Sequence, residues 1–353
     1  MTAAASPVAG YRLFPSPDDV RAEMPLPPAA AAAGARSRAE VRAVLDGADD
    51  RLLVVTGPCS VHDPEAALDY AERLAGTGLA GDLLIVMRAY PEKPRTVTGW
   101  TGLLNDPAMD GSFDVGRGLR EARRLLADLA TLGMPAACEW LSPVAPHYLA
   151  DAVTWAAIGA RTTESQVHRQ LASDLPMPAG FKNAADGDVR VAAEACLAAA
   201  SGHTFLGVTE AGTIGVVTSR GNPDCHVVLR GGRSGPNYGP GSVAGALAVI
   251  EGAGLPRRLM VDASHGNSGK DHHCQEAVAV AVAGQVAAGE RGITGVMLES
   301  FLVAGRQEPG HLPQLVYGQS VTDACMDFPA TTAVLETLAT AVRARRRRPG
   351  ARR

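Results

Sequence analysis

The sequence predicts a (β/α)8 TIM barrel, an α/β fold with an N-terminal extension and an inserted β-hairpin near residues 204–218. Three observations predict it. From residue 51 onward, short apolar runs alternate with helical patterns, as in successive βα units of a parallel sheet. The runs are apolar without alternation, which suits strands buried on both faces. Each run is followed by a charged or reactive side chain, and α/β folds place their chemistry at the C-terminal ends of strands.

Residues 1–50 form the extension, suited to oligomer or regulatory contacts. They begin loosely, pass a Pro/Ala-rich segment at Pro27–Ala33 and give a helix around Ser37–Leu45. Leu52–Val55 open the first strand, Gly57-Pro58 stop it, and Cys59 follows directly. Pro64 then starts a helical pattern to about Leu74, with His62 and Asp63 near its cap. The second strand, Leu83–Met87, ends at Arg88. An amphipathic helix at about Gly118–Thr131 precedes Ala136–Cys138, which ends at Glu139. Thr154–Gly159 leads to Arg161, Ala179–Phe181 to Lys182, and His226–Leu229 to Arg230. Leu259–Val261 leads to Asp262 and His265, and Gly295–Leu298 to Glu299. One further run, Thr204–Val208, is separated from Ile214–Thr218 by Glu210-Ala211-Gly212. That is hairpin punctuation, so the pair is an inserted ribbon and eight strands remain for a barrel spanning 51–342.

Composition narrows the class. Of 353 residues 46% are hydrophobic and 20% charged, enough for one large core. No run of 18 apolar residues occurs, so no membrane span is expected. The first ten residues lack a basic start followed by an apolar core, and six scattered cysteines without CxxC pairs fit reduced thiols. Both point to a cytoplasmic protein. Seven of the 33 basic residues lie in 343–353, expected to be a disordered, solvated Arg-rich tail; without them the net charge falls from −4 to −11. A body of that sign repels nucleic acid. Only Lys93, Lys182 and Lys270 are lysines, in a chain that otherwise uses arginine for its cations. Where lysine persists, a compact ammonium that can exchange a proton is the functional reading.

In a barrel the strand ends converge on one mouth. Arg88, Arg161, Lys182 and Arg230 together would repel one another unless anionic ligands neutralise them. The proline-stiffened loop Lys93-Pro94-Arg95-Thr96 adds a second anion site, suited to phosphate. Cys59, His265 and Glu299, with Asp323 in a later polar loop, form a mixed set suited to a divalent metal ion such as Mn, Fe, Co or Zn. Any one of these alone is equally a structural residue. His272-His273 is set aside as a ligand pair, because adjacent residues on a helix point apart.

The stretches GPCSVHD (57–63), RAYPEKPRTVTGWTGLLNDP (88–107), CEWLSP (138–143), GARTTESQVHR (159–169), GFKN (180–183), LRGG (229–232), DASHGNSGK (262–270), VMLES (296–300) and SVTDAC (320–325) resemble type I 3-deoxy-D-arabino-heptulosonate 7-phosphate (DAHP) synthase, in its microbial subgroup regulated by aromatic amino acids. The resemblance implies a metal-dependent aldol-type condensation of phosphoenolpyruvate with erythrose 4-phosphate, the first step of the shikimate pathway. It implies metal ligands at Cys59, His265, Glu299 and Asp323. Phosphoenolpyruvate contacts fall on Arg88, Lys93, Arg161, Lys182 and Arg230, with Glu139 nearby, and erythrose 4-phosphate contacts on Lys93, Pro94, Arg95 and Thr96. Proton transfer is assigned to Lys93 or Lys182, on the argument that a lysine among cations has a lowered pKa, and water positioning to Glu139. A homodimer or homotetramer is expected. Ser142, Pro143 and Pro176 depart from the family pattern where an inhibitory amino acid binds, leaving the regulator open. Two rivals remain: a related synthase using an amino-tetrose phosphate, and a non-catalytic barrel whose Arg tail docks RNA or protein.

Overall fold

The computed structural model describes residues 8–348. Two helices come first, α1 (Pro17–Glu23) and α2 (Pro28–Leu45), and then the strand β1 (Leu52–Gly57). The helix expected around Ser37–Leu45 begins earlier, and the Pro/Ala-rich segment forms its first half. Pro28 occupies the first helical position, where its missing N–H is no loss, and the alanines that follow are the strongest helix formers. Further along come α3 (Pro64–Ala75), β2 (Leu83–Arg88), α4 (Val115–Leu132), β3 (Ala136–Glu139), α5 (Ala145–Leu149), β4 (Trp155–Ile158), α6 (Gln166–Asp174), β5 (Ala179–Lys182) and α7 (Arg190–Ala200). Next are β6 (Thr204–Val208), β7 (Ile214–Thr218), β8 (His226–Leu229), α8 (Pro240–Gly252), β9 (Leu259–Asp262), α9 (Cys274–Ala287), β10 (Ile293–Glu299), β11 (Val303–Arg306), β12 (Gln319–Ser320) and α10 (Phe328–Arg346).

Eight parallel strands close in the order β1-β10-β9-β8-β5-β4-β3-β2, the (β/α)8 barrel that the apolar runs predict. β6 and β7 pair only with each other, antiparallel, as the inserted ribbon. The register sets the mouth. Gly57 lies opposite Glu299 and Met297 opposite Asp262, so the ends of β1, β10 and β9 deliver their polar residues at one level. Gly57 has φ +150, and a Cβ there would lie 2.8 Å from the Arg88 carbonyl oxygen, so only glycine lets β1 pass so close to β2.

The barrel interior is packed by Leu53, Val55, Val86, Trp155, Val228, Met260 and Met297. Val41, Val44 and Leu45 of α2 belong to the same buried cluster and seal the end of the barrel away from the mouth. Polar clamps hold α2 there. Arg38 donates to the carbonyls of Ala150, Asp151 and Val153, Arg42 pairs with Asp224 at 2.5 Å, and Arg258 pairs with Asp46 at 2.5 Å.

One expectation is corrected. The chain from Arg343 is not a free tail: α10 continues to Arg346, where Arg343 and Arg346 pair with Asp82 and Arg346 also with Asp50. The acidic loops before β1 and β2 thus use cations that the sequence shows only as an Arg run; 349–353 lie outside the described residues. His62 and Asp63 stand at the start of α3, as expected. Asp63 caps α3, while the His62 ring is buried edge-on to Phe301, and burial pushes its pKa down to about 4.

Because Leu45 closes the interior, Leu45→Ala is expected to cost about 2–5 kcal/mol. The check is a urea titration followed by circular dichroism; an unchanged midpoint would show that α2 is not part of the barrel core.

Candidate active site

The C-terminal ends of the eight strands and the loops after them enclose a cavity of about 400 Å³. It is lined by Cys59, Arg88, Lys93, Pro94, Arg95, Thr96, Glu139, Arg161, Lys182, Arg230, His265, Glu299 and Asp323, so every residue expected to hold the metal or the substrates faces one space. Lys270 lines it too, so all three lysines of the chain stand at this mouth.

Its floor is a buried charge network. Asp262 is fully buried, 2.9 Å from Lys182 Nζ and 3.0 Å from His265 Nδ1. Burial alone would raise its pKa, but Lys182 and His265 hold it well below the usual carboxylate range. With Nδ1 engaged by Asp262 and by Ser264 Oγ at 2.7 Å, the His265 ring turns Nε2 toward Glu299, 3.8 Å away. His265 itself has φ +55, a left-handed conformation uncommon outside glycine. Asp262 was seen in the sequence only as the end of a strand. Its signal was there, since an acid directly after Leu-Met-Val at a strand end must be buried and paired.

Beside His265 lies a second cluster. Donor atoms of Cys59, Glu299 and Asp323 lie within 4.8 Å of one another. Lys93 Nζ is 2.8 Å from both Cys59 Sγ and Asp323 Oδ2. Burial and the neighbouring Glu299 push the Cys59 thiol up to about 12, against the pull of Lys93. Burial works against the Lys93 ammonium, but Cys59, Glu299 and Asp323 outweigh it and raise its pKa. This corrects the expectation of a lysine among cations: Lys93 sits among anions. A thiol, an imidazole and two carboxylates converging with excess negative charge are a donor set that fits a divalent transition metal.

Arg88 is buried beneath this cluster. It donates to the carbonyls of Pro58 and Cys59, lies 3.1 Å from Glu299 Oε1, and stacks 4.1 Å from the Tyr90 ring centroid. Glu139 projects past Gly159, where a Cβ would lie 2.4 Å from its Oε1, so a side chain at 159 would displace the carboxylate. The remaining cations differ in kind. Among the described residues no carboxylate forms an ion pair with Arg95, Arg161 or Arg230. Arg95 and Arg161 are exposed, whereas burial and the nearby Arg161 lower the pKa of half-buried Arg230. Such groups await anionic ligands.

Away from the mouth, the ribbon folds over α5 and α6 and encloses a second cavity of about 380 Å³. Leu171, Phe205 and Val217 give it an apolar wall, and His147, Gln170 and Asp174 offer polar groups. The predicted pair His272-His273 does not point apart, because both residues lie in the turn before α9 and their rings stack with centroids 3.9 Å apart.

Comparison with known proteins agrees with this arrangement. Residues 29–336 match the DAHP synthetase I family. Phospho-2-dehydro-3-deoxyheptonate aldolase of Corynebacterium glutamicum is 51% identical over 348 residues, spanning 96% of this chain and 94% of that protein. The Phe-sensitive phospho-2-dehydro-3-deoxyheptonate aldolase of Escherichia coli is 52% identical over 314 residues, spanning 88% of this chain and 89% of that protein. The solved structure of phospho-2-dehydro-3-deoxyheptonate aldolase from Francisella tularensis superposes with a TM-score of 0.94 at 45% identity, over 96% of this chain and 99% of that one. With a family match over residues 29–336, relatives at about half identity and a shared barrel fold, the chain belongs to the DAHP synthetase I family.

Proposed function

We propose that this chain is a DAHP synthase, condensing phosphoenolpyruvate with D-erythrose 4-phosphate to give DAHP and phosphate, the first step toward chorismate. The observation that carries the reading is the trio Arg95, Arg161 and Arg230, without carboxylate partners, around a cavity that also holds three lysines. Two phosphorylated substrates answer that charge.

In this reading Arg161, Arg230 and Lys182 grip the phosphate and carboxylate of phosphoenolpyruvate, with Arg88 holding the floor beneath. Arg95 and Thr96 take the phosphate of erythrose 4-phosphate, while Pro94 stiffens their loop. Such anchoring contributes chiefly by orientation, about 7–11 kcal/mol where the geometry is ideal. Cys59, His265, Glu299 and Asp323 would hold a divalent ion, and Mn, Fe, Co or Zn suits the donors. When bound it supplies Lewis acidity toward the aldehyde oxygen. C3 of phosphoenolpyruvate forms the new bond to the aldehyde carbon, and Lys93 delivers a proton to the oxygen that becomes hydroxyl. Water adds to the electron-poor C2 as Glu139 accepts its proton, and the C2–O bond to phosphate then breaks, the remaining C2 hydroxyl proton passing to the departing phosphate, to leave the ketone.

Phosphate release is therefore expected only with both substrates present, to vanish on EDTA treatment and to return with Mn²⁺. Release from phosphoenolpyruvate alone would point to another reaction, and an amino-tetrose phosphate turned over in preference to erythrose 4-phosphate would favour the related synthase. Cys59→Ala is expected to lose at least about a hundredfold in turnover even in excess Mn²⁺. Near-normal rates would remove Cys59 from the ligand set.

The cavity under the ribbon fits an aromatic amino acid, with its ring against Phe205 and its charged end near His147, Gln170 and Asp174. Phenylalanine, named for the Escherichia coli relative, is expected to inhibit, and Leu171→Arg to relieve the inhibition without changing the uninhibited rate. A steady-state titration with Phe, Tyr and Trp identifies the effector, and no response to any of the three would dismiss the site.

The ribbon also leaves Leu206, Ile214 and Val216 exposed at 78%, 76% and 71%, an apolar face suited to the homodimer or homotetramer we propose. Light scattering at the monomer mass of 36.4 kDa would overturn that assembly.

A further inference from the structure

Asp271, His272, His273 and Cys274 run into the first turn of α9, outside the cavity just described. Four facts set this turn apart from an ordinary polar surface. One ligand atom from each of Asp271, His272 and His273 lies within 4.8 Å of the others. The imidazoles are stacked with ring centroids 3.9 Å apart and planes inclined by 38°. Cys274 Sγ lies 3.7 Å from Asp271 Oδ2, while Asp271 Oδ1 accepts from the His273 N–H at 2.9 Å and steadies the turn. Cys274 is also the exposed cysteine, the other five being buried, and free cysteine is among the residue types most often buried.

We infer that Asp271, His272, His273 and Cys274 form a second binding site for a divalent transition metal ion of the zinc type, separate from the centre around Cys59. Carboxylate, imidazole and thiolate are the donors that such ions prefer, and they bind at about 2.0–2.3 Å. Donors around one ion at those lengths lie roughly 3–4 Å apart, so small side-chain rotations close the present spacing. The positive end of α9 opposes a cation, but Asp271 supplies a full negative charge and Asp327 lies close enough to act on His272. An exposed turn of this composition binds by local chelation and needs no rearrangement of the barrel.

The test uses the full chain stripped with EDTA, with Zn²⁺ alone as the probe. Equilibrium dialysis is expected to find two ions per chain in the parent, one in Cys59→Ala and one in His272→Ala/His273→Ala. Alkylation of Cys274 by iodoacetamide, read by peptide mapping, is expected to slow at least about tenfold in Zn²⁺, and the double-histidine variant to lose that protection. In the Cys59→Ala protein, Co²⁺ is expected to show a thiolate charge-transfer band that Cys274→Ser removes. A single ion per chain that disappears with Cys59, or alkylation of Cys274 at the same rate with and without Zn²⁺, overturns the site. Circular dichroism of all three variants, expected to match the parent, separates loss of binding from loss of fold.

Discussion

The mouth depends on one buried negative charge. Asp262 sits at the end of β9 with no solvent exposure, between the Lys182 ammonium and the His265 imidazole. An unpaired carboxylate there would be several kcal/mol too costly to keep ionised. Held between two partners, it does two things at once. It fixes which nitrogen of His265 faces Glu299, and it anchors a lysine of β5 to a strand two places away in the barrel. The two halves of the site, the donor cluster around Cys59 and the cationic wall of Lys182 and Arg230, are joined through this carboxylate. Strand register makes the joint possible, because Asp262 is delivered level with Met297 and two residues below Glu299.

Around that joint the cations divide by partnership. Arg88, Lys93 and Lys182 each have a carboxylate, and each steadies a group that must stay ordered before any ligand arrives. Arg95, Arg161 and Arg230 have none and stand toward the opening. The first group is costly to disturb even in the free protein, since removing one partner strands a buried charge. The second group repels itself in the free protein and is relieved by an anionic ligand. One surface thus combines preorganisation with an electrostatic demand for two anions.

How much of this the sequence discloses follows from the range of the forces involved. The barrel was legible because each βα unit is written locally: an apolar run, a stop such as Gly57-Pro58, then an amphipathic helix. The site residues were legible for the same reason, since a strand end fixes where its next side chain goes. What escaped was decided by partners distant in sequence. Arg343 and Arg346 look like a solvated tail until Asp50 and Asp82, nearly 300 residues earlier for Asp50, come beside them. His62 shows in the sequence only as a neighbour of the α3 cap, and its burial against Phe301 depends on a partner far along the chain. Lys93 looks like a cation among arginines until Cys59 and Asp323 surround it. The start of α2 is a different case: the helix expected from Ser37 begins at Pro28, where the alanine run behind the proline extends it.

The three lysines carry the most compact lesson. Arginine serves the surface ion pairs of this chain, as in Arg73–Asp69 and Arg257–Glu290, where a flat, permanently charged fork does well. Lysine is kept at three places, and all three line one cavity. A guanidinium at 93 would be too broad to sit 2.8 Å from a thiol and a carboxylate oxygen with one atom. At 182 the same breadth would crowd Asp262 in a space with almost no solvent. Rarity of a residue type therefore works as a positional signal when the chain has an alternative for every ordinary use of that charge. It marks the places where charge alone is insufficient and where the size of the cation decides.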